Sequence, residues 1–129
     1  MKIAFAVFLL IHSMAHGVGA LNVSGLVKDP DQPTDPTFLL TGFADGHWIF
    51  RAMSFLWVFG LIGFAAAGIG VIQEADWTFA VLIAATVLST ALSVIWVKAA
   101  PFGLVANLIV IAVTLVPWAA DRMIPPFEV

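Results

Sequence analysis

Residues 51–97 read RAMSFLWVFGLIGFAAAGIGVIQEADWTFAVLIAATVLSTALSVIWV, two apolar runs parted only by QEAD, Gln73 to Asp76. Crossing a hydrocarbon core of about 30 Å takes about 20 apolar residues in a helix. Arg51 to Ile72 and Trp77 to Val97 are therefore each predicted to span a bilayer. Four intervening residues suffice only for a tight helical hairpin at the surface, so these two helices are predicted to be antiparallel neighbours.

Working outward, a third run, IAFAVFLLIHSMAHGVGAL, follows Lys2 and extends from Ile3 to Leu21 or a little beyond, and a fourth extends from Phe102 to Ala120. A lysine before an apolar run that ends in small residues also fits a secretory signal, but histidines interrupt its core, so a retained helix is expected. Lys98 to Pro101 makes a second short connection, with Pro101 suited to the first turn of a helix because its missing N–H would be unpaired there. The predicted architecture is all-α, a polytopic four-transmembrane-helix antiparallel bundle. It forms one membrane domain over residues 1–129, with helices at about 3–25, 49–73, 77–98 and 101–120 and an extramembrane loop at about 28–48.

Composition agrees: 62% of the 129 residues are hydrophobic and 10% charged, and the mean hydropathy is +1.08. A soluble domain of this size could not cover so much apolar surface. The net charge of −3 and the lack of a basic cluster argue against nucleic-acid binding. Without cysteine the chain has no disulfide, thiolate metal site or iron–sulfur ligand. The expected partners are the lipid bilayer and other membrane subunits or further copies of the chain.

The segment from Lys28 to Trp48 has prolines at 30, 33 and 36 and the acids Asp29, Asp31, Asp35 and Asp45, which read most simply as a solvated, extended stretch. FLLTGF, Phe38 to Phe43, is too short to span and is expected on the membrane surface or over the mouth of the bundle. Trp48, Trp77 and Trp118 fall near segment ends, where indoles favour the headgroup region. Lys2 and Arg122 mark one face and Lys28, Arg51 and Lys98 the other, a nearly balanced count; the acidic loop is assigned to the outside and both termini to the cytoplasm. Small residues spaced by four mark the packing seams: Ser13 and Gly17; Gly63 and Ala67; Ala66 and Gly70; Ala85, Ser89 and Ser93; Gly103 and Asn107.

His12 and His16 lie one turn apart on one face of the first helix. A rise of about 1.5 Å per residue sets His12 roughly 15 Å beyond Lys2, near mid-bilayer. Polar groups there are costly and mark function. Neutral imidazoles could ligate a metal or haem, relay a proton, or hydrogen-bond to Ser, Thr or Asn on another helix. A zinc site would need a third ligand, for which His47, Asp45 and Glu74 are peripheral. Haem between two helical histidines is disfavoured, since no histidine lies inside a later span. Asn107 is the second polar residue of note, as interhelical glue or as an amide that orients a ligand against the histidines. Lys98 snorkels to the headgroups or holds an anion. The chain has no Ser-His-Asp set, phosphate-binding glycine loop or carboxylate pair for acid–base work.

LLIHSMAHGVG, Leu9 to Gly19, and PFGLVAN, Pro101 to Asn107, resemble a group of small four-helix bacterial integral membrane proteins. In these the first helix carries Ile-His-x-x-x-His-x-x-Gly and the fourth opens Lys-Phe-Gly-x-x-Ala-Asn. Pro101 replaces the lysine, and residues 28–48 read as an insertion. The resemblance, looser to DoxX-type proteins, implies a four-helix fold in a bacterial inner membrane, with His12, His16, Gly19, Phe102, Gly103, Ala106 and Asn107 as the places to test. It implies no reaction. The expected role is an accessory subunit of a larger membrane complex, or a binder of a small or lipidic ligand at His12, His16 and Asn107. The alternatives are a metal-dependent or redox protein using His12 and His16, and a homo-oligomeric channel or carrier.

Overall fold

The computed structural model describes residues 2–27, 35–44 and 47–123, and side chains as far as Val116. Four helices follow in order: α1 Lys2–Val23, α2 Trp48–Gln73, α3 Thr78–Ile95 and α4 Pro101–Met123. Among the described residues there is no strand. Lys28, Asp29, Asp31 and Asp45 lie outside the described residues, as do the side chains of Trp118 and Arg122.

α1, α2 and α3 are each long and apolar enough to cross a membrane, and the described apolar part of α4 is Pro101–Val116. The bundle is apolar outside, and its interior combines apolar clusters with a set of polar side chains. Ile3, Val7, Ile11, Met14 and Val18 recur at helical spacing along the exposed face of α1. The interior, meanwhile, holds His12, Ser13, His16, Thr86, Ser89, Ser93 and Asn107. That arrangement suits a solvent of lipid tails, in which helices associate through close packing and hydrogen bonds rather than through hydrophobic burial.

Contacts along each seam run in opposite directions, so sequential helices alternate up and down. Gly17 faces Leu61 while Ala6 faces Gly68 on the α1–α2 seam; Gly63 faces Ala85 while Gly70 faces Thr78 on the α2–α3 seam. Ser93 faces Gly103 and Ser89 bonds Asn107 between α3 and α4. α1 lies along α2 over most of its length and touches α4 at few points.

α3 was expected to run to about residue 98 but ends at Ile95. Two loop amides take the terminal carbonyl: Thr37 N–H and Phe38 N–H donate to Ile95 O at 2.7 and 3.3 Å. External donors on the last carbonyls are one way to close a helix. Lys98 N–H in turn donates to Thr37 Oγ1 at 3.3 Å. The Phe38–Phe43 segment therefore folds over one end of the bundle. Leu40 is buried there in one apolar cluster with Ala20, Phe50, Trp57, Leu92 and Trp96. Leu39 sits at the centre of a tight turn closed by Leu40 N–H to Phe38 O at 2.6 Å, with a left-handed φ of 61°.

The opposite end is fixed by a clasp. Glu74, the left-handed C-cap of α2, accepts a hydrogen bond from the Lys2 ammonium at the start of α1. That bond and the lysine's charge hold the Glu74 carboxyl below its ordinary range.

Candidate functional site

Four buried polar side chains from three helices meet at mid-bundle. His12 Nε2 lies 3.0 Å from Asn107 Oδ1, Ser89 Oγ lies 2.9 Å from His16 Nε2, and the Ser89 hydroxyl donates to Asn107 Oδ1 at 3.0 Å. With Asn107 Oδ1 as the shared acceptor, one proton arrangement is consistent with these distances. If Ser89 spends its only proton on Asn107, His16 must donate Nε2–H to Ser89 Oγ, and His12 must donate Nε2–H to the same amide oxygen. Both imidazoles are then Nε2–H tautomers, and the Asn107 carbonyl is a shared acceptor with both lone pairs used.

Local sequence explains how the rings reach these positions. The four-residue spacing sets both imidazoles on the interior face of α1, edge to face with centroids 5.1 Å apart. Phe64 of α2 packs on both, at 4.5 Å from His12 and 5.4 Å from His16. Gly60 leaves room for His16: a Cβ there would stand 2.8 Å from Nδ1. Gly103 does the same for Ser93, whose Oγ would be 2.6 Å from a Cβ. Gly103 belongs to a small-residue pair read from the sequence, whereas Gly60, which makes room for His16, does not.

Beside this centre lies a cavity of about 280 Å³, walled by α1 from His12 to Val23, Trp57 of α2, the end of α3 and the start of α4. Its lining is mainly apolar, and no Lys, Arg, Asp or Glu contributes among the described residues. Trp57 and Trp96 stand edge to face on its wall with centroids 6.1 Å apart. Among the described residues four buried side-chain atoms have no hydrogen-bond partner: His16 Nδ1, Trp57 Nε1, Thr78 Oγ1 and Asn107 Nδ2.

The structure thus brings His12, His16 and Asn107 together and sets both histidines on the cavity wall. Nε2 of each histidine is hydrogen-bonded, His12 to Asn107 and His16 to Ser89. Among the described residues no group of three His, Cys, Asp or Glu side chains is placed to hold a metal. His47 is elsewhere, as the N-cap of α2 whose Nδ1 accepts from Ile49 N–H at 3.3 Å. Lys98 does not line the cavity. Sequence reading treated Ser89 only as a packing residue and passed over Trp57 and Trp96. The usable signal was a tryptophan well inside a span, away from the headgroup positions that indoles favour.

Compared with family models, curated proteins and solved structures, the chain matches none.

Proposed function

We propose that this chain is a multi-pass protein of a bacterial plasma membrane, that all four helices cross the bilayer, and that it holds a small lipidic molecule between α1 and the α3–α4 corner. The observation that carries the reading is the cavity of about 280 Å³. Membrane helices gain stability from close packing. A half-open space of that size between packed helices therefore forfeits packing that an occupant would restore. An apolar wall with a few convergent polar groups is the usual character of a small-molecule site. The polar centre serves this role by bracing α1, the longest wall of the cavity, against α3 and α4.

The test is mass spectrometry of small molecules extracted from protein purified in native-membrane particles, with an Ala99→Leu/Ala100→Leu variant that fills the cavity. A near-stoichiometric compound in the wild type, lost in a variant of unchanged helicity and melting, is the expected result. The same bulk lipid profile in both proteins would overturn the reading. Stoichiometric metal or a Soret band, lost in a His12/His16 double variant, would redirect it to ligation chemistry.

A further inference from the structure

Most helical hydroxyls of this bundle spend their protons within the protein. Ser13 donates to Leu10 O, and Thr86, Thr90 and Thr114 each donate to the carbonyl four residues back. Ser89 donates to Asn107. Ser93 departs from this pattern: among the described residues no hydrogen bond engages its hydroxyl. Ser93 is only 1% exposed, yet its oxygen is not among the four sealed atoms that lack a partner. The little surface it keeps is therefore at Oγ, and Ser93 stands on the cavity wall. A hydroxyl buried without a bond is costly, and its unspent proton calls for an acceptor. Gly103 of α4 leaves the oxygen uncovered: a Cβ there would stand 2.6 Å from it, and Gly103 lines the same cavity.

The wall restricts the class of molecule that can supply that acceptor. A charged ligand would be desolvated without a counter-charge, since no Lys, Arg, Asp or Glu lines the space among the described residues. Val18 and Phe102 also line it, yet are 52% and 83% exposed on the outer, apolar surface of the bundle. They belong to α1 and α4, which touch at few points. The cavity opens between these helices, toward the bilayer.

We infer, on the reading of this cavity as a ligand site, that Ser93 is the residue that selects its occupant, donating its hydroxyl proton to an oxygen of an uncharged, lipid-dissolved molecule that enters between α1 and α4. A volume of about 280 Å³ accommodates about a dozen non-hydrogen atoms, given that a cavity of about 150 Å³ takes up benzene.

The experiment titrates wild-type protein in lipid nanodiscs with 2-decanone, decane and decanoate, each matched by mole fraction in the bilayer. Binding is followed at the Gly19 and Gly103 amides by NMR, and the ketone's carbonyl-13C stretch by infrared spectroscopy. The ketone is expected to bind saturably, about tenfold more tightly than decane, the gain from one buried hydrogen bond. Its carbonyl band should move to lower frequency on binding. In Ser93→Ala, which gives up no hydrogen bond of the protein, both the preference and the band shift should vanish. Ser13→Ala, whose hydroxyl is already spent on Leu10 O, should keep both. Equal binding of ketone and decane, or a preference that survives Ser93→Ala, would overturn the role of Ser93 but leave the cavity a ligand site. Tightest binding of decanoate would overturn the uncharged class. No saturable binding of any of the three would remove the ligand-site reading together with this one.

Discussion

The Ser89 hydroxyl donates to Asn107 Oδ1 across the α3–α4 seam at 3.0 Å, and the same two side chains take up the two imidazoles of α1. Three helices are joined through one amide oxygen and one hydroxyl. Removing either breaks more than one bond, so the two sites are coupled. Asn107→Ala is expected to cost about 1–2 kcal/mol and Ser89→Ala about 0.5–1 kcal/mol. The double variant should fall short of their sum by about 0.5 kcal/mol or more. Reversible unfolding in bicelles measures the cycle, with Thr90→Ala as a control whose hydroxyl donates to Thr86 O of its own helix. Strict additivity of Ser89 and Asn107 would contradict the shared network.

Gly60→Ala tests the approach of α1 to α2. The new Cβ would stand 2.8 Å from His16 Nδ1, in a ring already packed on Phe64 and Trp57. The imidazole must shift, and its bond to Ser89 with it. A loss of about 1–3 kcal/mol is expected, with a changed His16 tautomer signal in nitrogen NMR. Unchanged stability and an unchanged His16 spectrum would show that the ring has slack that the structure does not grant it.

Acidification should loosen the Lys2–Glu74 clasp. Hydrogen bonding from Lys2, reinforced by its charge, lowers the Glu74 carboxyl from its ordinary value. A group depressed in the folded state contributes above its unfolded value, and the contribution is lost as pH falls through the folded one. Both partners are solvent-exposed, so the effect is local and modest. Amide exchange across residues 70–76 should quicken below the carboxylate range in the wild type, whereas Glu74→Gln should exchange quickly at every pH. A wild-type profile without pH dependence would show the clasp open in solution.

Leu40→Ala should free the segment that covers the end of the bundle. Leu40 is the buried side chain of this segment in the apolar cluster that also holds Trp57 and Trp96, and its loss is expected to cost about 2 kcal/mol. Protease nicking near residues 38–43 and faster ligand exchange should follow. Nicking as slow as in the wild type would assign the anchoring to the Thr37 hydrogen bonds with Ile95 and Lys98 instead.

The helices were legible because each apolar run is long and its punctuation sharp: QEAD between α2 and α3, and Pro101 at the head of α4. His12, His16 and Asn107 stood out because polar groups are rare in such runs. Their mutual contact is a tertiary fact that no spacing within one helix encodes. Ser89 was hidden because serine is equally at home as a small packing residue, and its hydroxyl gains meaning only when His16 and Asn107 face it. The cavity was hidden for a related reason: it arises where α3 stops at Ile95, and that stop depends on the loop's Thr37, 58 positions earlier in sequence.

Photolabelling wild-type protein in its bilayer with a lipid-dissolved alkyl diazirine tests the central claim most directly, because the probe samples only what lipid-phase molecules reach. Adducts on the buried wall residues Trp57, Ser93 and Trp96, alongside those on outward-facing Ile11, Ile62 and Val87, are the expected result. Labelling confined to the outward-facing residues would contradict a cavity that opens to the membrane and receives its ligand there.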